Sequence, residues 1–122
     1  MKSVQGRTSS SGTITGAALL SLINSGKAPP VFDVRSGREF IKGHLPGAVH
    51  VPFFTAFWKA KSFLSVRDRS VIVYCAYGPR AVLARVALRR AGFSDVLLLE
   101  QHMSGWRRYA YPSKSVRKTA KP

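Results

Sequence analysis

The amino-acid sequence predicts an α/β domain in which helices pack on a parallel sheet. The chain has 122 residues, of which 45% are hydrophobic and 11% aromatic, which suits one globular domain with its own core. Short apolar runs alternate with longer segments of helical pattern. The most apolar run, SVIVYC at 70–75, contains no charged residue, which is typical of a central strand in a parallel sheet.

The first half of the chain is predicted to contain three strands and three helices. Thr15 is a good N-cap for the first helix, and Ser36 with Glu39 has the spacing of a capping box at the start of the second. Gly43 ends that helix, and Pro52 stops the third strand. The predicted strands are 13–14, 31–35 and 48–51, and the predicted helices are 16–24, about 36–43 and 53–64.

The second half continues the alternation. A polar loop at 67–69 precedes the strand at 70–75, and the predicted helix 80–91 directs Leu83 and Leu88 toward the sheet. A strand at 95–99 and a helix at 103–110 complete the domain. We expect a flexible leader at 1–12, one domain at 13–112 and a basic, disordered tail at 113–122.

The charge is strongly one-sided, with 20 Lys and Arg against 5 Asp and Glu and a net charge of +15. Such a field attracts anions, from thiosulfate or phosphate to acidic proteins and nucleic acids. The single cysteine excludes an internal disulfide and a CxxC redox pair. The histidines and the cysteine lack metal-ligand spacing, so we expect no structural zinc site. No apolar run reaches the roughly 20 residues of a membrane span, and a cytoplasmic location is the default expectation.

Cys75 is the residue that best fits a chemical role. It follows the predicted central strand, where open α/β sheets bind ligands, and it faces the N-terminus of the next helix, where negative charge is favoured. This setting favours the thiolate over the thiol. Successive backbone N–H groups in a curled loop form an anion cradle, for which Gly78 permits a tight turn, while Pro79 has no N–H to donate. The alternative is an inert thiol at a strand end.

The sequence resembles the rhodanese-like family of single-domain thiosulfate sulfurtransferases between Thr13 and Pro112. The motifs that carry the resemblance are FDVR at 32–35, EF at 39–40, GHLPGA at 43–48, VP at 51–52, VYCAYGPR at 73–80, RAGF at 90–93, LE at 99–100, Trp106 and YP at 111–112. This resemblance implies a three-layer domain, with a mostly parallel five-stranded sheet between helices on both faces.

The resemblance also implies a reaction. Cys75 would take a sulfane sulfur from thiosulfate or a similar donor and pass it to cyanide, a thiol or an acceptor protein. Arg80 would attract the anionic donor or brace the loop. The resemblance implies no metal and no organic cofactor. Four residues separate Cys75 from Arg80, whereas the related cell-cycle phosphatases have five, so phosphate chemistry is the weaker interpretation. The loop expected to hold the persulfide consists of Ala76, Tyr77, Gly78, Pro79 and Arg80.

Other residues are expected to support the site. Asp33 and Arg35 would shape a strand end, and His44 would be structural. Gln101 and His102 stand where the family has two glycines, which predicts an altered turn with His102 at the pocket rim or in a supporting role.

Two alternative functions remain open at this stage. One is a sulfur-carrier or protein-interaction module with little thiosulfate turnover. The other is a binding domain for an acidic partner or nucleic acid through outward-facing arginines, namely Arg85, Arg89, Arg90, Arg107 and Arg108. Nucleic acid is the less favoured ligand, because no aromatic-basic stacking pattern accompanies these arginines. The sequence predicts no particular oligomeric state.

Overall fold

A parallel sheet lies at the centre of the computed structural model, which describes residues 12–59 and 70–115. Within these residues the sheet has five strands in the order β1-β5-β4-β2-β3, and each pairing is parallel. The predicted parallel α/β architecture is therefore confirmed, with β4 as the middle strand. The strands are β1 (Thr13–Ile14), β2 (Val31–Asp33), β3 (Val49–His50), β4 (Ser70–Tyr74) and β5 (Asp95–Leu99).

Helices cover both faces of the sheet, as the three-layer prediction requires. Leu19 of the first helix and Trp106 of the last pack with Ile72 and Tyr74 on one face, whereas Ala81 and other residues of the fourth helix pack with Val71 and Val73 on the opposite face. The helices are α1 (Gly16–Asn24), α2 (Gly37–Lys42), α3 (Ala56–Lys59), α4 (Pro79–Arg90) and α5 (His102–Arg108), with a 3₁₀ turn at Phe53–Thr55 before α3.

Local capping signals placed the helix starts well. The Thr15 side chain accepts a hydrogen bond from the Ala18 N–H. Ser36 and Glu39 form both reciprocal bonds of a capping box, and Gly43 is the C-cap of α2. Side-chain oxygens at these positions satisfy backbone N–H groups that have no partner inside the helix.

Several boundaries and one orientation differ from the prediction. The strand predicted at 31–35 ends at Asp33, the one at 48–51 spans only 49–50, and the last helix starts at His102 and ends at Arg108. Leu83 was expected to face the sheet but is 58% exposed, whereas Ala84 is fully buried. Ala84 and Leu88 are four residues apart and so share the inner face of α4, which Leu83 does not.

The ordered pairing continues past the predicted C-terminal boundary at 112. Lys114 forms an antiparallel bridge with His44, in which each N–H donates to the other residue's carbonyl at 2.8 Å. This bridge lies within the segment predicted as a tail, two residues beyond the predicted end of the domain. Residues 1–11 of the predicted leader, 60–64 of the predicted helix, the loop at 67–69 and residues 116–122 of the tail lie outside the described residues. Among the described helices, none is long and apolar enough to cross a membrane.

Candidate active site

The loop between β4 and α4 curls around the sulfur of Cys75. This residue is fully buried, and its Sγ accepts hydrogen bonds from the N–H groups of Gly78 at 3.0 Å and Ala81 at 3.4 Å. Gly78 makes the turn with φ of 137°, a conformation that side chains disfavour. Pro79 occupies the first turn of α4, where a missing N–H costs no hydrogen bond. The geometry gives the sulfur two backbone donors that stabilise negative charge.

Tyr77, at the tip of this loop, points outward. Its side chain is 80% exposed, whereas Ala76 beside it is partly buried. The Tyr77 ring therefore faces solvent.

The start of α5 holds the other side of the loop. The Met103 N–H donates to the carbonyl of Cys75 at 3.0 Å, and the Ser104 N–H donates to the carbonyl of Ala76 at 3.2 Å. In a trans peptide the N–H points opposite to the carbonyl. These two bonds therefore turn the N–H groups of Ala76 and Tyr77 away from α5.

His102 adds a third bond to the same stretch of backbone. Its Nδ1 accepts the N–H of Cys75 at 3.3 Å, and the side chain is buried beneath the loop rather than placed at an open rim. Burial lowers the pKa of His102 below its ordinary value of 6.5, because a buried imidazolium loses hydration. Gln101 and His102 adopt φ values of 62° and 51°, the positive-φ conformation that glycines would permit at lower cost. The altered turn expected from the sequence stays a prediction.

Gly105 makes room for this turn. A Cβ added to Gly105 would lie only 2.3 Å from the Cβ of Gln101. The side chain that replaces a family glycine at position 101 therefore packs directly against a glycine one helical turn later. This pairing was not predicted, although a glycine inside the last helix was visible in the sequence.

Arg80 braces the loop at its far end. Its guanidinium donates to both carboxylate oxygens of Glu39, at 2.8 and 3.1 Å. The hydrogen bond with Arg80 lowers the pKa of Glu39 to about 2, and bonds with Ser36 add to this. The same pair raises the pKa of Arg80. These contacts fit the bracing role expected for Arg80, and both expected roles stay predictions. Glu39 was predicted only as a helix cap, so its second role was missed.

A second ion pair lies buried at the end of β2. Arg35 donates to Asp33 through Nε at 3.0 Å and Nη2 at 2.6 Å, and to the carbonyl of Gly43 at 2.6 Å. The Tyr74 hydroxyl donates to Asp33 at 2.7 Å and accepts the N–H of Leu45 at 3.0 Å. Burial and the adjacent Asp33 carboxylate raise the pKa of Tyr74, so this hydroxyl stays a donor. The network ties β2, β4 and the turn after α2 together.

Burial disfavours the charged form of Arg35, but the interactions of Arg35 with neighbouring groups favour it more strongly. Loss of hydration lowers the pKa of Arg35, but the hydrogen bonds and charge of Asp33, together with the charges of Tyr74 and Glu39, raise it by more, so the net pKa is raised. These contacts, at the end of β2 and the turn after α2, agree with the structural role expected for Asp33 and Arg35. Tyr74, the residue just before Cys75, was missed as a member of this network.

Comparison with known proteins agrees with this geometry. The model of the rhodanese-like domain matches residues 15–109. The chain belongs to the rhodanese-like domain family. It is 30% identical over 108 residues to a Mycobacterium tuberculosis protein named "Probable adenylyltransferase/sulfurtransferase MoeZ", covering 82% of this chain and 26% of that protein. The chain thus spans about a quarter of that relative's length.

Two further similarities bear on fold and chemistry. Thiosulfate sulfurtransferase 16, chloroplastic, of Arabidopsis thaliana is 31% identical over 93 residues, which cover 68% of this chain and 78% of that protein. The crystal structure of the Alr3790 protein from Anabaena sp. superposes with a TM-score of 0.77 at 27% identity, covering 87% of this chain and 84% of the other. The family prediction made from the motifs is confirmed, and the two sequence relatives from Mycobacterium tuberculosis and Arabidopsis thaliana are both named as sulfurtransferases.

His44 contacts α2 and the chain segment at Lys114. Its Nδ1 lies 2.8 Å from the Phe40 carbonyl, its ring stacks on Phe40 with centroids 3.8 Å apart, and its backbone pairs with Lys114. These contacts fit the structural role predicted for it. In the described part of the chain, no group of three His, Cys, Asp or Glu residues is placed to hold a metal ion.

Proposed function

We propose that this domain is a sulfurtransferase that carries sulfur as a persulfide on Cys75. The observation that carries the proposal is the position of Sγ inside a loop whose Gly78 and Ala81 N–H groups donate to it. Such donors stabilise an anionic sulfur and the charge that develops during transfer. Sequence similarity to a thiosulfate sulfurtransferase supports the same chemistry.

The proposed reaction has two displacements. The Cys75 thiolate attacks the outer sulfur of thiosulfate, an S–S bond forms to Cys75, and the S–S bond of thiosulfate breaks so that sulfite leaves with the electron pair. Cyanide or a thiolate then attacks the outer sulfur of the persulfide, which yields thiocyanate or a new persulfide and returns the Cys75 thiolate. Both steps balance without an external oxidant or reductant.

The burial of Cys75 limits the donor. Because the residue has no exposed surface, a donor must be small or the loop must open. Thiosulfate is a small dianion, and the +15 net charge of the chain favours its approach. Arg80 is given no role in binding the donor, because its guanidinium already donates to the Glu39 carboxylate.

Intact-mass measurement tests the proposal directly. After incubation with thiosulfate we expect the protein to gain the mass of one sulfur atom, and after cyanide to lose it. Cys75→Ser should gain nothing, and Cys75 is the only cysteine, so the readout has one source. Sulfur gain by Cys75→Ser, or turnover equal to that of the wild type, would contradict the proposal.

A sulfur carrier that receives its sulfur from a protein is the second candidate. The outer face of α4 favours it, because Val82, Leu83 and Val86 are 44%, 58% and 48% exposed beside Arg89 and Arg90. Exposed apolar side chains with a basic rim suit an acidic protein partner. This candidate predicts a persulfide on Cys75 in protein purified from cells, together with negligible loading by thiosulfate. Salt-sensitive binding of a duplex oligonucleotide would instead favour a nucleic-acid function.

A further inference from the structure

We propose that His102 is a positioning residue, which fixes the Cys75 amide and so orients the sulfur that the loop carries. The proposal rests on the function proposed for Cys75 and adds how its backbone is held. His102 stands where the motif that the sequence resembles has a glycine, so the side chain adds an acceptor that the motif alone would not supply.

The direction of the hydrogen bond identifies the form of the imidazole. A backbone N–H can only donate, so the Nδ1 atom 3.3 Å from the Cys75 nitrogen must offer a lone pair. The ring is then neutral and carries its proton on Nε2. Burial of the ring favours this neutral form.

Two consecutive residues of α5 hold both backbone groups of Cys75, and the residue after them holds the next carbonyl of the loop. His102 accepts the N–H of Cys75, Met103 donates to the carbonyl of Cys75, and Ser104 donates to the next carbonyl. The far edge of the imidazole lies against Gly78, where an added Cβ would come within 3.4 Å of Nε2. The ring therefore fills the space between the first and fourth residues of the loop.

The position of Sγ depends on this backbone. Its two donors, the N–H groups of Gly78 and Ala81, lie farther along the loop, so a rotation of the Cys75 peptide would move the sulfur relative to both. Transfer reactions lose rate when a nucleophile is misplaced relative to the groups that stabilise charge. His102 adopts φ of 51°, a conformation with a cost for residues with side chains, and such costs cluster at functional sites.

A matched pair of variants separates the side-chain acceptor from the backbone conformation. Asn and Gly both tolerate positive φ, but only Asn places an acceptor oxygen as many bonds from the backbone as the histidine Nδ1. We expect His102→Asn to gain sulfur from thiosulfate within about twofold of the wild-type rate. We expect His102→Gly to be slower by about fivefold, the effect of one ordinary hydrogen bond.

Two measurements keep this test separate from the test of sulfur transfer. The alkylation rate of Cys75 by iodoacetamide reports its reactivity without any sulfur donor, and we expect the same order of variants. The ¹⁵N shifts of the His102 ring in the wild type should show the proton on Nε2. If the wild type gains no sulfur, the proposed function fails while these two measurements still judge His102. Equal rates for His102→Asn and His102→Gly in folded protein, or a proton on Nδ1, would overturn the positioning role.

Discussion

Two arginine–carboxylate pairs lie near the loop that carries Cys75, and they differ in their exposure to water. In the Asp33–Arg35 pair the side chains are 0% and 1% exposed, whereas in the Glu39–Arg80 pair they are 35% and 31% exposed. Both have short contacts, at 2.6 and 2.8 Å. Judged by distance alone, the two ion pairs would be equally strong. They are not, because the buried pair lies in a medium of much lower dielectric constant.

The buried pair belongs to the scaffold and the exposed pair belongs to the loop. Asp33 and Arg35 bond to each other, Arg35 also bonds to a turn carbonyl, and Asp33 also accepts the Tyr74 hydroxyl. Loss of one charge would leave the other buried without a counter-charge and without water to replace it. Arg80 and Glu39 connect the end of the loop to α2, and water can replace either partner. We therefore expect the first pair to control folding stability and the second to contribute little to it.

The largest expected effect comes from Asp33→Asn. The substitution keeps the size of the side chain but leaves the buried Arg35 guanidinium without a counter-charge. Removing one partner of a buried ion pair costs about 3–5 kcal/mol of stability, which urea unfolding at pH 7 would measure. A loss below about 1 kcal/mol would mean that water or another acceptor replaces the carboxylate, and the contrast between the two pairs would fail.

Tyr74→Phe tests the neutral member of the buried network. The change removes one hydroxyl, which leaves the N–H of Leu45 without its acceptor and removes a donor to Asp33. A buried polar group without a partner costs about 1–3 kcal/mol, so the variant should be destabilised less than Asp33→Asn. The same urea titration measures it. A larger loss of stability than that of Asp33→Asn would show that the hydroxyl contributes more to stability than the buried charge does.

The scaffold of the site was largely predictable because its signals are local. The charge-free run at 70–75 predicted the central strand, and Ser36 with Glu39 predicted a helix start; the structure has both. Gly78 and Pro79 predicted a loop between that strand and the next helix. Each of these signals is contained within a few residues, where propensity and capping act directly.

The contacts across the site were not predictable in the same way. The partners Arg80 and Glu39 are 41 residues apart, as are Tyr74 and Asp33, and no local pattern reports which side chains a fold brings together. Leu83 illustrates the same limit on a helix. Its apolar side chain suggested burial, yet a one-residue difference from Ala84 places it on the outer face.

A double-mutant cycle on the exposed pair measures how strongly Glu39 and Arg80 stabilise each other, for comparison with the buried pair. Glu39→Gln removes the charge but keeps a residue that can complete the capping box, and Arg80→Gln removes the opposite charge. From urea unfolding of both single variants and the double variant, we expect a coupling energy of about 0.2–1 kcal/mol. The coupling should shrink as salt rises from low to molar concentration. A salt-independent coupling above about 3 kcal/mol would make this pair equivalent to the buried one.

The smallest expected effect is the dependence of the exposed pair on pH. The pKa of Glu39 falls from 4.5 to about 2 in the folded protein, so the unfolded chain takes up this proton first as pH falls. The contribution of Glu39 is therefore fully present above about pH 4.5 and is lost as pH falls toward 2. Its size is reduced by solvent screening, because both side chains are about one-third exposed. The difference in stability between wild type and Glu39→Gln isolates this group from other carboxylates, and it should be constant from pH 7 to 5 and vanish near pH 2. A difference that persists unchanged to pH 2 would show that hydrogen bonding of the uncharged side chain, rather than its charge, is what holds Arg80 in place.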